Sequence, residues 1–373
     1  MSEMMDYLFR HNIRRLLSRL VLITLLTIFT ISSILFLHPL LPSGPQSTSY
    51  SSALYSLRPL LPSVPQSTSY NSAFGQLNET SGSSRFAIAT FLTGSPENLN
   101  DGKDPGPDAD PYYIATRVIA YQILHAPETR CNRSISFVVL VTSTVSESAK
   151  QQLKLDGANV VEAEDIPLHS WIKTGVTRWK DQFTKLRLFE MIEYDRILFI
   201  DADTLIQSKI DGIFHEPDVQ RPVKTLSSRP KNTDELPLPE NFVFAARSDN
   251  GLTGERNHPF PPLQTEFFSA GFFMIAPSPA LFEYFLSAMS HKHRFDPHTM
   301  EQSLLNYAFR RNGPMPWREL HYKWSATWPN LEDVGAGVAT LHEKFWSTGP
   351  PELQRLWRLQ KDAMERYYAS PAK

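Results

Sequence analysis

From Arg85 onward the chain alternates between two rhythms of apolar and polar residues. Apolar runs of strand type, Phe86 to Thr93 (FAIATFLT), Ile135 to Thr142 (ISFVVLVT), Ala158 to Ala163 and Arg196 to Asp201 (RILFID), are separated by stretches of helical spacing. Those stretches are Pro111 to His125, Ser146 to Leu155 and Gln182 to Glu193. Strand, helix and strand in this order predict βαβ units and a parallel sheet. Further strands are expected at Phe242 to Ala246, Gly271 to Ala276 and Val338 to His342. Further helices are expected at Ala280 to Ser290, Met300 to Arg311 and Pro351 to Tyr368. His215 to Glu240 is a long Pro-rich connection, of a kind that more often forms a lid or stays disordered than joins a core.

Ahead of this domain the pattern changes twice. Leu20 to Leu37 is an uncharged, mostly apolar run of 18 residues, which as a helix would cover roughly 27 Å, about the thickness of a membrane interior. Arg10, Arg14, Arg15 and Arg19 precede it, and the next basic side chain after it, His38 aside, is Arg58. The positive-inside rule then predicts a cytosolic tail (1–19), a signal anchor (20–37) and a lumenal remainder. A cleaved signal peptide is the alternative, but the run is long for one, and Pro39-Leu40-Leu41-Pro42 follows without a small-x-small cleavage site. Residues 38–84 are rich in Ser, Pro, Thr and Tyr, and PLLPSGPQSTSYSSA at Pro39 recurs as PLLPSVPQSTSYNSA at Pro59. Such a segment buries too little apolar area to offset its ordering entropy, so a flexible stem is expected, with the folded domain at 85–373. Asn78 and Asn132 stand in glycosylation sequons that a lumenal domain would expose.

Composition narrows the function. A formal net charge of -2 over 373 residues provides no basic field for nucleic acid. Cys131 is the single cysteine, so neither an internal disulfide nor a cysteine-based zinc site can form. No GxGxxG follows the first strand, so a dinucleotide-binding loop is missing.

The chemistry-bearing pattern is Asp201-Ala202-Asp203 at the end of an apolar strand. Two carboxylates where the chain leaves the pleat can turn toward one pocket and ligate one hard cation, which would neutralise a departing nucleoside diphosphate. The tripeptide also admits a solvated turn. It further admits a haloacid dehalogenase-type phosphatase, although Leu205 holds that motif's fifth position and no clear downstream acidic pair follows.

Four blocks in order resemble the glycogenin-like glycosyltransferase family 8, in particular its fungal Golgi members. They are Asp181 to Phe214, which contains Thr184-Lys185-Leu186 and the Asp-x-Asp strand; Phe267 to Ser278 (FFSAGFFMIAPS); Phe295 to Phe309 (FDPHTMEQSLLNYAF); and Leu341 to Trp346 (LHEKFW). The resemblance implies a GT-A fold, a UDP-sugar donor, Mn2+ or Mg2+, retention of anomeric configuration, and a glycan or glycoconjugate acceptor. It also implies Asp201, Asp203 and His342 as metal ligands. Thr93, Tyr112, Lys185, Ala202, Ser269, Gly271 and Lys344 would lie around the donor, and Asp249, Glu301 and Gln302 around the transferred sugar. The chain departs from the family pattern at Ser269-Ala270-Gly271 for Asn-x-Gly, at Glu301-Gln302 for Asp-Gln, and at Lys344, which follows His342 by two positions instead of six. With the anchor, these features predict a Golgi or endoplasmic reticulum type II membrane enzyme; a fold-retaining lumenal binding protein without turnover is the alternative.

Overall fold

The computed structural model describes residues 85–94, 110–132, 134–174, 177–253 and 255–370. The tail, anchor and stem expected in 1–84 lie outside the described residues. Contacts divide the chain into units 1–60 and 61–373, and all described residues belong to the second.

Its centre is a seven-stranded sheet built from β1 (Phe86–Leu92), β2 (Ser136–Val141), β3 (Asn159–Glu162), β4 (Arg196–Ile200), β8 (Phe244–Ser248), β9 (Phe268–Ile275) and β10 (Arg318–Glu319). The remaining strands are β5 (Thr204–Ile206), β6 (Val223–Lys224), β7 (Asn241–Phe242), β11 (Ser325–Thr327) and β12 (Thr340–His342). The order in the large sheet is β10-β8-β9-β4-β1-β2-β3. β3, β2, β1 and β4 are mutually parallel, whereas β9 runs antiparallel to both β4 and β8. The sheet is therefore mixed through a single reversed strand. From β1 the chain winds outward through β2 and β3, then returns to place β4 on the other side of β1. The carboxyl ends of β1 and β4 thus form a topological switch point, the crevice where open α/β sheets bind ligands.

The alternation along each central strand explains both layers of core. Ala87, Ala89 and Phe91 face one apolar cluster with Ile197, Phe199 and Phe273, while Ile88 and Leu92 face the other with Leu198, Ile200 and Phe272. Phe199 and Phe273 stack with centroids 5.0 Å apart, and each buried phenyl contributes roughly 1.5–3 kcal/mol by leaving water. Helices α1 (Pro111–Leu124) and α2 (Glu147–Leu155) form the two first crossovers, their N-termini capped by the side chains of Asp110 and Ser146. Further helices are α3 (Pro279–Ser290), α4 (Met300–Ala308), α5 (Leu331–Gly335) and α6 (Pro351–Ala369).

Three expectations change. The helix expected at Gln182 to Glu193 is a 3-10 helix over Thr177–Glu190. A period of three puts Phe183, Leu186 and Phe189, all fully buried, on one face, which an α-helix would splay. The strand expected at Val338 to His342 shortens to β12 and joins a separate sheet, β11-β12-β5. The segment 215–240 is neither lid nor disorder. The Glu235 side chain is buried, accepts hydrogen bonds from Tyr284 (2.9 Å) and Tyr307, and pairs with Arg294 at 2.9 Å, tying the segment to α3 and α4.

Candidate active site

β4 delivers Asp201 to the switch point, and the turn into β5 delivers Asp203. The third group comes from far along the chain. β12 pairs antiparallel with β5 so that His342 stands opposite Thr204, bringing its imidazole to the carboxylates. His342 Nε2 lies 3.0 Å from Asp203 Oδ1 and 3.7 Å from Asp201 Oδ2. One ligand atom from each of the three lies within 4.8 Å of the others. Gly271 on β9 makes this convergence possible. A Cβ there would sit 2.3 Å from His342 Cε1 and 2.9 Å from Asp201 Oδ2, and its carbonyl accepts the Asp201 N–H at 2.9 Å.

Electrostatics bind the cluster together. Burial alone would push the His342 imidazolium down, but Asp203 and then Asp201 outweigh it and hold the group up at about 9. Burial would raise Asp203, yet the same imidazole draws it down to about 2. The fit to a divalent cation is good: two carboxylates and one imidazole converge, and His342 Nδ1 is buried without a partner among the described residues.

These residues line a cavity of about 350 Å³. Thr93, after β1, and Tyr112, at the start of α1, are part of the lining. Thr93 donates to Asp181 at 2.5 Å and belongs to a hydroxyl cluster with Thr142 and Thr144. Tyr112 packs edge-on against Trp346 at 5.0 Å. α4 opens with Glu301 and Gln302, both also lining the cavity. Lys185 donates to Asp201 at 2.8 Å and to Glu301 at 2.9 Å. Its buried ammonium loses hydration, but the two carboxylates outweigh that and raise its pKa, so it stays charged. Burial raises the Glu301 carboxyl, with Lys185 only partly opposing. Its Oε2 is buried without a partner among the described residues.

The expected site residues thus separate into two groups. Thr93, Tyr112, Lys185, Asp201, Ala202, Asp203, Gly271, Glu301, Gln302, His342 and Lys344 line the cavity. Lys344, half exposed, brings its ammonium to 3.9 Å from Asp203 Oδ2 despite its displaced position in the motif. Ser269 and Asp249 are not among the lining residues. Ser269 accepts the Gly271 N–H at 3.2 Å, folding back on its own strand. Asp249 stands behind Gln302, accepting its Nε2–H at 3.2 Å and the Gly251 N–H at 3.0 Å. Gln302 Oε1 accepts the Ala270 N–H at 2.9 Å, so its amide is held at both ends.

Sequence reasoning missed Gln182, His298, Thr299 and Met300 in the lining. Gln182 precedes Lys185 by three residues, so it was findable only with the 3-10 period. Met300 holds a positive φ of 55°, a strained conformation that no residue type signals here.

No family model matches the chain. An uncharacterized protein of Schizosaccharomyces pombe is 30% identical over 275 residues, covering 68% of this chain and 72% of that protein. The inositol phosphorylceramide glucuronosyltransferase 1 of Arabidopsis thaliana is 28% identical over 141 residues, 37% of this chain and 22% of its own. Galactinol synthase 1 of Ajuga reptans is 26% identical over 175 residues, 46% and 50% of the two chains. With the four motif blocks now gathered around one cavity, the chain belongs to glycosyltransferase family 8 and is a glycosyltransferase.

Proposed function

We propose that this enzyme moves a hexose or N-acetylhexosamine from a UDP-sugar to a hydroxyl of a glycan or glycoconjugate, with retention, through a GT-A arrangement. The observation that carries the reading is the Asp201, Asp203 and His342 cluster in the wall of a cavity that Thr93, Tyr112, Glu301 and Gln302 also line. Mn2+ or Mg2+, held by those three side chains, would supply positive charge to the diphosphate as it leaves. Uridine fits beside Thr93 and Tyr112, and Lys344 adds a cation beside the diphosphate. Glu301 Oε2 is free to accept a sugar hydroxyl, and Gln302 presents an amide N–H. Lys185 holds Asp201 and Glu301 in place through its two hydrogen bonds. No side chain is assigned as a nucleophile, so attack by the acceptor from the leaving-group side accounts for retention.

The chain of Leu20 to Leu37 and the arginines before it supports a type II membrane protein of the Golgi or endoplasmic reticulum, with this domain in the lumen. UDP release by the full chain in detergent, with Mn2+ and UDP-glucose, UDP-galactose or UDP-N-acetylglucosamine in turn, tests the activity. Turnover with one donor that chelation abolishes is expected. UDP bound with Mn2+ but no donor turned over would sink the reading.

A further inference from the structure

Three elements converge on the side-chain amide of Gln302. β8 and β9 pair with a break in register: Ala246 lies opposite Phe273, but Ser248 lies opposite Phe268. A single residue of β8, Arg247, therefore faces the stretch from Ser269 to Phe272, and the ladder is interrupted there. Ala270 stands in that gap, and its N–H goes to Gln302 Oε1 at 2.9 Å. α4 is fixed beside it, because Asn306 donates to the Gln302 carbonyl at 2.9 Å and bonds both the N–H and the carbonyl of Phe268 at 3.0 Å. The third partner follows β8 directly: Asp249 Oδ2 accepts from Gln302 Nε2 at 3.2 Å.

Asp249 is itself buried and pinned. Its N–H donates to the Phe267 carbonyl at 3.0 Å, and its Oδ1 accepts the Gly251 N–H at 3.0 Å. A Cβ added at Gly251 would sit 3.1 Å from that oxygen, so glycine leaves the room the carboxylate occupies. Each carboxylate oxygen serves one donor, which a carboxamide could not do for both.

These partners fix which way the Gln302 amide points. The Ala270 N–H only donates, so it requires the oxygen of the amide, while the Asp249 carboxylate accepts and requires the nitrogen. A flipped amide would set nitrogen against N–H and oxygen against carboxylate. Nε2 carries two hydrogens, and Asp249 takes one. The other has no partner among the described residues, and Gln302 lines the cavity. Toward the cavity Gln302 is therefore a donor only.

We infer that Asp249 is a positioning residue of the transfer reaction, which holds Gln302 so that an amide N–H, and no lone pair, faces the donor sugar. The family resemblance implied a place around the sugar for Asp249, but it is absent from the cavity lining and both its oxygens are engaged. An amide fixed in advance does not have to reorient as charge develops. The role rests on the donor occupying the cavity as proposed above.

The test measures UDP release by the full chain in detergent with Mn2+, using whichever of UDP-glucose, UDP-galactose and UDP-N-acetylglucosamine the wild type turns over. Asp249→Ala should lower kcat at least tenfold, with UDP affinity in the presence of Mn2+ within twofold of wild type. Gln302→Ala should do the same. Asp249→Ala made in the Gln302→Ala background should lower kcat less than a further twofold, because residues that act as one unit are not additive. Asp249→Asn, with one oxygen for two donors, should fall between Asp249→Ala and wild type. Losses that multiply in the double variant would mean that Asp249 acts on the sugar independently of Gln302, and they overturn the inference. Unchanged kcat in Asp249→Ala also overturns it, as does a joint loss of UDP affinity, which a structural role would produce. A wild-type chain that binds UDP with Mn2+ but turns over none of the donors would remove the donor reading and this role with it.

Discussion

At the scale of single residues, the site depends on one missing side chain and one shared proton. Gly271→Ala places a methyl where His342 and Asp201 already stand. Mn2+ affinity, measured by calorimetry, should fall at least tenfold with little change in circular dichroism. Asp203→Asn removes one ligand oxygen and the main partner of the imidazolium. UDP release should drop at least a hundredfold, and intact turnover would disprove the metal assignment. The proton on His342 gives a pH test. Metal ligation needs the neutral imidazole, while the metal-free group titrates at about 9. Mn2+ affinity should therefore rise with pH up to about 9 and level off above it, with a proton released on binding below that point. The same raised pKa makes the metal-free fold bind a proton more tightly than the unfolded chain. Its stabilising contribution is complete below about 6.5, the ordinary histidine value, and disappears as pH passes about 9. The melting temperature of chelator-treated protein should fall across that window, and a flat profile would contradict the ion pair.

At the scale of elements, function separates from stability along α4. Its first turn carries Glu301 and Gln302 into the cavity, and Asn306, one turn on, bonds both the N–H and the carbonyl of Phe268. That clamp fixes the helix to β9 and so fixes Glu301 and Gln302 relative to Gly271. Tyr307, on a different face, meets Glu235 in the tether of the 215–240 segment. Burial and then Glu235 push the Tyr307 hydroxyl up to about 12, so it remains a donor. Glu235→Ala would leave Tyr284, Tyr307 and Arg294 without their shared acceptor, at about 3 kcal/mol. A lower urea midpoint with unchanged kcat for UDP release is the expected outcome; a large fall in kcat would show that this tether reaches the site.

At the scale of the whole molecule, the proposed anchor separates where the enzyme sits from what it does. The full chain should pellet with membranes and resist carbonate extraction, whereas deletion of residues 1–37 should release it with UDP-release activity retained; a wild-type chain in the soluble fraction would refute the anchor. The sequence by itself determined the central strands, because apolar runs such as Phe86 to Leu92 and Arg196 to Ile200 must bury both faces, but not the reversal of β9 that makes the sheet mixed. It also placed Asp201 and Asp203, the proposed metal carboxylates, two residues apart at one strand end, which needs only local geometry. Tertiary structure decided everything that depends on distant pairing. The register of β12 against β5 selects His342 over the chain's other histidines, and the return of β4 beside β1 makes the cavity. The three-residue period of Thr177–Glu190 decides which side chains join Lys185, since periods of 3.0 and 3.6 diverge within two turns. Asp249, outside the four blocks, and Ser269, where the chain departs from the family pattern, are absent from the lining, because local hydrogen bonds with Gly251, Gln302 and Gly271 claim their oxygens.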